Sequence, residues 1–124
     1  MDINNPVIKL CQQGAEDEYR NNKEDACKNY HQAWDIAQSD YEFCIAAHYV
    51  ARCQQSVQEE LDWNLAALEY AHRCDTAMVT PFWGSLFVNI GHSYEKLGFM
   101  KKAEIYYHLA AQHGMIHDQA DQFQ

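Results

Sequence analysis

The chain has 124 residues, 48% of them hydrophobic, with 9 Lys and Arg against 18 Asp and Glu, a formal net charge of −9. That length fits one domain, and the acidic balance excludes nucleic acid as a sequence-independent partner and argues against an anionic membrane surface, both of which require clustered Lys and Arg. No run approaches the roughly 18 apolar residues of a membrane span, and the N-terminal stretch MDINNPVIKLCQQG lacks a basic region followed by an apolar core, so no secretory signal and a cytoplasmic location are expected.

Helix-start signals recur along the chain. Asn5-Pro6 offers an N-cap followed by Pro at the first helical position. Asn22 precedes Lys23-Glu24-Asp25 at the next start. Ser39-x-x-Glu42 and Ser56-x-x-Glu59 are capping-box patterns ahead of apolar runs. Thr80-Pro81 repeats the N-cap and Pro arrangement, which predicts a helix beginning at Pro81. Its apolar and small residues at Phe87, Ile90, Gly91 and Tyr94 have the spacing of one helical face. Gly98 ends that pattern where a C-cap favours a left-handed residue. A last helix carries Ala103, Tyr106, Tyr107, Ala110 and Ala111, and Gly114 closes it. No segment alternates in the manner of a strand, so the fold is expected to be all-α.

Two of these helix pairs share a template. Ala103, Tyr107 and Ala110, with Gly91 twelve residues before Ala103, are matched by Ala26, Tyr30, Ala33 and Gly14. Asp17 departs from the match, standing where the later pair has Tyr94. A middle unit 34 residues on from the first puts His48 at the Gly place, Ala51 at the Tyr94 place, Asn64 at the Tyr107 place and Ala67 at the last Ala place. The units run over residues 7–40, 41–74 and 84–117, with an insertion at 75–83 and a tail at 118–124. Within the insertion, Phe82 and Trp83 either begin the fifth long helix a turn early or rim a binding surface as aromatic anchors.

The string Phe87-x-x-Ile90-Gly91-x-x-Tyr94-x-x-x-Gly98, followed by Ala103-x-x-x-Tyr107-x-x-Ala110, resembles a tetratricopeptide repeat, with Phe87 in the place of the usual Trp. The resemblance is strongest in the third unit and weakest in the second. It implies a right-handed α-α superhelix, a solenoid of three helix pairs, whose first helices line a concave face that takes a protein or peptide. Projected onto that face are Gln12 from the first helix, Ile45, Tyr49 and Arg52 from the third, and Ser85, Val88, Asn89, His92 and Lys96 from the fifth. Cys11, Ala15 and Tyr19 fall on the same stripe of the first helix. Asn89 suits a peptide amide, and Arg52 and Lys96 suit a carboxylate. The Lys and Asn clamp by which some members of the family hold chaperone tails is missing, because its places hold Cys11, Ala15 and Ala46.

Other chemistry finds little support. The spacing i, i+4 of His113 and His117, and of Cys44 and His48, suits metal ligands, but Gly114 interrupts the first pair and His48 falls at a helix-packing place. No metal site and no cofactor are expected. There is no nucleophile elbow and no phosphate-binding Gly-rich turn, so the chain is not expected to be an enzyme. Five cysteines, Cys11, Cys27, Cys44, Cys53 and Cys74, odd in number and without CxxC, read as reduced, buried small hydrophobes. Charged stretches such as Glu16-Asp17-Glu18 read as solvated faces. The last helix carries apolar residues on more than one face, so Ile105, Tyr106 and Leu109 are either a homodimer interface or lie under a cap formed by Met115, Ile116 and Phe123. The expected function is a non-enzymatic protein- or peptide-binding scaffold. A structural homodimer without a groove ligand and a peptide-responsive regulator are the alternatives.

Overall fold

The computed structural model describes residues 4–114, and every regular element among them is helical. Six helices of eleven or more residues are α1 (Pro6–Tyr19), α2 (Lys23–Ile36), α3 (Asp40–Val50), α4 (Val57–His72), α6 (Trp83–Lys96) and α7 (Met100–Gln112). A single-turn helix, α5 (Thr76–Val79), precedes α6. The chain divides into two compact units, the first ending at Cys74 and the second beginning at Asp75.

In the first unit the caps act largely as the sequence predicts. The Asn5 side chain accepts from the Val7 and Ile8 amides at 2.8 and 3.2 Å, satisfying two donors that have no partner within the helix. Ser39 and Ser56 accept from the amides of Glu42 and Glu59, both at 3.1 Å. Glu42 completes its motif differently. One of its oxygens accepts from the Gln38 amide at 2.8 Å and the other from the Asn5 side chain at 2.9 Å, so this carboxylate ties the start of α3 to the start of α1. Asn22 stands at the N-cap of α2 but makes no side-chain cap bond.

Arg20 and Asn21 end α1 in a Schellman motif. Asn21 takes a positive φ of 65°, its amide bonds the Glu18 carbonyl at 3.0 Å, and the Asn22 amide bonds the Asp17 carbonyl at 2.8 Å. The helices pack as α1 on α2 and α3 on α4, with α3 also against both α1 and α2. At the centre, buried Ala26, Tyr30 and Val50 are surrounded by Trp34, Tyr49, Cys53 and Trp63. Full burial of an aromatic ring such as Tyr30 contributes about 2–3 kcal/mol.

The second unit is the pair α6 and α7 with the turns that lead into it. Helix α6 begins at Trp83 rather than at Pro81, because Thr80–Phe82 forms a 3-10 turn and the N-cap place falls on Phe82, which makes no side-chain cap bond. The insertion is therefore helical turns, anchored by fully buried Val79. Trp83 is half-buried and stacks on Phe87 with ring centroids 5.6 Å apart, so it packs within the unit and does not stand clear at a rim. Gly98 has φ +88°, with its amide on the Glu95 carbonyl and the Phe99 amide on the Tyr94 carbonyl, both at 2.9 Å. This is the Schellman closure of Asn21 repeated with glycine.

Candidate functional site

The template residues make the same contacts in both units. A Cβ built on Gly14 would lie 2.3 Å from a ring carbon of Tyr30, and one on Gly91 2.7 Å from a ring carbon of Tyr107. Each Tyr thus lies across a glycine on the facing helix. Each hydroxyl then donates to a carboxylate one turn beyond that glycine: Tyr30 to Glu18 at 2.6 Å, and Tyr107 to Glu95. The Asp17 departure is also matched by a partner. Asn29 donates to Asp17 at 2.7 Å, and the corresponding residues of the second unit, Tyr106 and Tyr94, stack at 5.6 Å. In the middle pair, His48 and the buried Asn64 take the Gly and Tyr places, so bulk moves from the second helix to the first.

Glu16-Asp17-Glu18 is not simply a solvated face. Asp17 is 8% exposed and also accepts from Gln13 at 3.1 Å. Glu18 gathers a charged junction. Arg52 grips it with both prongs, Nε to Oε1 at 2.7 Å and Nη2 to Oε2 at 3.3 Å. Lys23 stands 3.9 Å from the same carboxylate and donates to the Arg52 carbonyl at 2.9 Å. Burial pushes the Glu18 carboxyl up, but the bonds from Arg52 and Tyr30 and the charges of Arg52 and Lys23 outweigh it and hold it below its ordinary value. Burial and the Glu18 bond both raise the Tyr30 hydroxyl. The Arg52 guanidinium is in turn held in its charged form by the Glu18 bond.

Beside this junction Ala15, Glu18, Tyr19, Tyr49 and Arg52 line an open trough of about 460 Å³ between α1 and the end of α3. Tyr19 is 88% exposed, and Tyr49 stacks on Tyr30 at 5.1 Å. Among the groove residues expected in this unit, Tyr49 and Arg52 line the trough and Gln12 is exposed, while Ile45 is in the core. Cys11 is likewise buried, its thiol pushed up to about 12 by burial. In the second unit Ser85, Val88 and Asn89 are half-buried on α6, and His92 and Lys96 are exposed. Glu18 has a signal that sequence reading can use: it stands twelve residues before Tyr30, as Glu95 does before Tyr107.

The expectation of five reduced cysteines is overturned for two of them. Cys27 and Cys53 form a disulfide, with Cα atoms 5.7 Å apart, joining α2 to the 3-10 turn Ala51–Cys53 that follows α3. Cys53 directly follows Arg52, so the covalent link holds the backbone of the junction in place. Cys11, Cys44 and Cys74 are free thiols. Cys44 is buried and its thiol is pushed up to about 12, chiefly by burial, which makes it unreactive.

On α7, Ile105 is 59% exposed and Leu109 half-buried, and with Lys101, Glu104 and His108 they line a shallow recess of about 400 Å³. Tyr106 turns the other way, onto Tyr94 and Phe87. His113 lies 5.5 Å from the Phe87 ring, and His117 is outside the described residues, as are Met115, Ile116 and Phe123. Among the described residues no three His, Cys, Asp or Glu side chains are grouped to hold a metal ion. No described helix is long and apolar enough to cross a membrane. Neither protein-family models, nor curated proteins, nor solved structures give a match to this chain.

Proposed function

We propose that this chain is a protein- or peptide-binding scaffold of tetratricopeptide type, working without catalysis or cofactor. The reading is supported above all by the repeated Gly, Glu and Tyr contacts in α1/α2 and α6/α7, which are what stacked helix pairs of one template produce. The packing of α1 against α3 adds to it, since it sets the first helices of successive pairs side by side. The trough between them offers an exposed phenol at Tyr19 and charges of both signs at Glu18 and Arg52. Such a surface suits an extended segment with an apolar or aromatic side chain for Tyr19 and Tyr49 and polar backbone for the ion pair.

The test is affinity capture with wild type, Tyr19→Ala and Ala15→Gln, both on the trough wall. These are preferable to Arg52→Glu, which would bring a second carboxylate onto Glu18. A protein captured by wild type and lost from the variants, with helical circular dichroism unchanged, supports the reading. Identical captures from all three overturn it.

A second reading, a homodimer through α7, draws on Ile105 and its neighbour Leu109. Light scattering decides it. A dimeric mass that Ile105→Asp halves supports pairing through this face, and a monomeric wild type removes it.

A further inference from the structure

A second recess, on the α2 and α4 faces of the first unit, has a different character. Trp34, Trp63, Ala66, Tyr70 and Asp62 line about 330 Å³. Trp34 stands at the middle. The Trp63 ring meets it edge-on at 4.9 Å and 90°, and the Tyr70 ring does so at 6.0 Å and 71°. Trp63 and Tyr70 are two helical turns apart on α4, with Ala66 between them, so the small side chain leaves a gap flanked by two aromatic rings. All three rings are half-buried: their positions are fixed by packing, yet part of each reaches solvent. Phe43 supports them from behind, 4.9 Å from Trp34 and 5.1 Å from Tyr70.

Aromatic faces carry negative potential and attract cations. The molecule already uses this property beside the recess: the Arg73 guanidinium sits 5.0 Å over the Tyr70 ring, held by Glu69 at 3.5 Å and Asp40 at 3.9 Å, and with Phe43 stacked on Tyr70 the rings offered to a further cation are Trp34 and Trp63. At the mouth stands the exposed Asp62 carboxylate, oriented by a bond from Gln58 at 3.0 Å. A purely apolar occupant would strip water from that carboxylate and give nothing in return. A bare ammonium would have to satisfy three N–H donors where a single carboxylate lines the recess. A methylated ammonium has no such need and presents methyl groups to the rings.

We propose that the recess at Trp34 and Trp63, walled by Tyr70, binds a methylated ammonium group, with Asp62 as its counter-charge. The net charge of −9 favours approach of such a cation. The site is independent of the α1/α3 trough, so either stands if the other fails. Choline, its uncharged isostere 3,3-dimethylbutan-1-ol and a short trimethyllysine peptide are titrated separately into the full chain, following the three indole N–H resonances by NMR. Trp83 lies outside the site and reports non-specific effects. The expected result is movement of the Trp34 and Trp63 resonances with both cations, roughly tenfold tighter than with the isostere. Asp62→Asn, on an exposed side chain, weakens choline binding about threefold or more with the fold intact. The tighter of the two cations tells whether the group arrives on a peptide or on a small molecule. No movement with either cation, or equal movement with the isostere, overturns the proposal.

Discussion

Glu18 and Arg52 stand 34 residues apart, on α1 and just past the end of α3, and their side chains meet in a two-pronged ion pair, 2.7 Å at its shorter contact. The pair ties α1 to the turn after α3 within the first unit, and Glu18 accepts from Tyr30 of α2 at the same time. Arg52 is about half exposed, which weakens the pair. A double-mutant cycle with Glu18→Gln and Arg52→Met is expected to give a coupling of about 0.5–1 kcal/mol in urea unfolding, shrinking as salt is raised.

Gly14 and Gly91 leave no room for a side chain beneath their tyrosines. Alanine at Gly14 or Gly91 gains about 1 kcal/mol of helix propensity, but its methyl collides with the ring of Tyr30 or Tyr107. Overpacking of this kind costs about 1–3 kcal/mol. Both variants are expected to unfold at lower denaturant than wild type, Gly14→Ala the more so because Tyr30 is fully buried. A midpoint equal to or above wild type for either would show that the rings have room to withdraw.

Acid is expected to weaken the fold through His48. Burial, with the Arg52 charge second, lowers its pKa from 6.5 to about 4. The unfolded chain therefore takes up a proton near pH 6.5 that the folded chain refuses until about 4. The contribution is fully present above pH 6.5 and lost as pH falls toward 4, roughly 3 kcal/mol in all. Glu18, whose carboxyl is also lowered, acts in the same direction at still lower pH. Stability measured against pH should flatten across that window in His48→Gln, and an unchanged slope would place the proton uptake elsewhere.

The Cys27–Cys53 bond joins residues 26 positions apart, and loss of such a link typically costs about 3 kcal/mol. Addition of a phosphine reductant, or Cys27→Ser, is expected to lower the urea midpoint by the same amount, and the reductant should do nothing further to the variant. Mass spectrometry after alkylation in denaturant gives the direct count: three modified cysteines without reductant and five after reduction.

Much of the helix framework was legible because it depends on local chemistry. Caps at Asn5, Ser39 and Ser56 and the closing Gly98 act within one turn of their own positions, so residue type and spacing suffice. The Gly14 and Gly91 places were readable because a missing side chain at a fixed interval from Tyr has one simple cause, close approach. Glu18 was harder. In a row of three acids nothing local distinguishes the one that turns inward, and only its interval to Tyr30 does so. Cys27 and Cys53 were misread because their meeting depends on the 3-10 turn at Ala51–Cys53, which reorients the chain after α3 and has no marked sequence signature. Thr80-Pro81 misled for the opposite reason: a good start signal was used by a 3-10 turn. The aromatic recess escaped notice because Trp34 and Trp63 belong to different pairs, and neither helix alone shows that they face one another.

The disulfide also changes how the chain answers to a pull. Residues between Cys27 and Cys53 lie outside the force-bearing path when the two ends are drawn apart, because tension crosses from one sulfur to the other. The later part of α2 and all of α3 thus bear no load, and the fully stretched molecule is shorter by roughly 90 Å than its reduced form. Under tension α1 and α4 carry the first unit, with α3 held between them as a slack, folded insert.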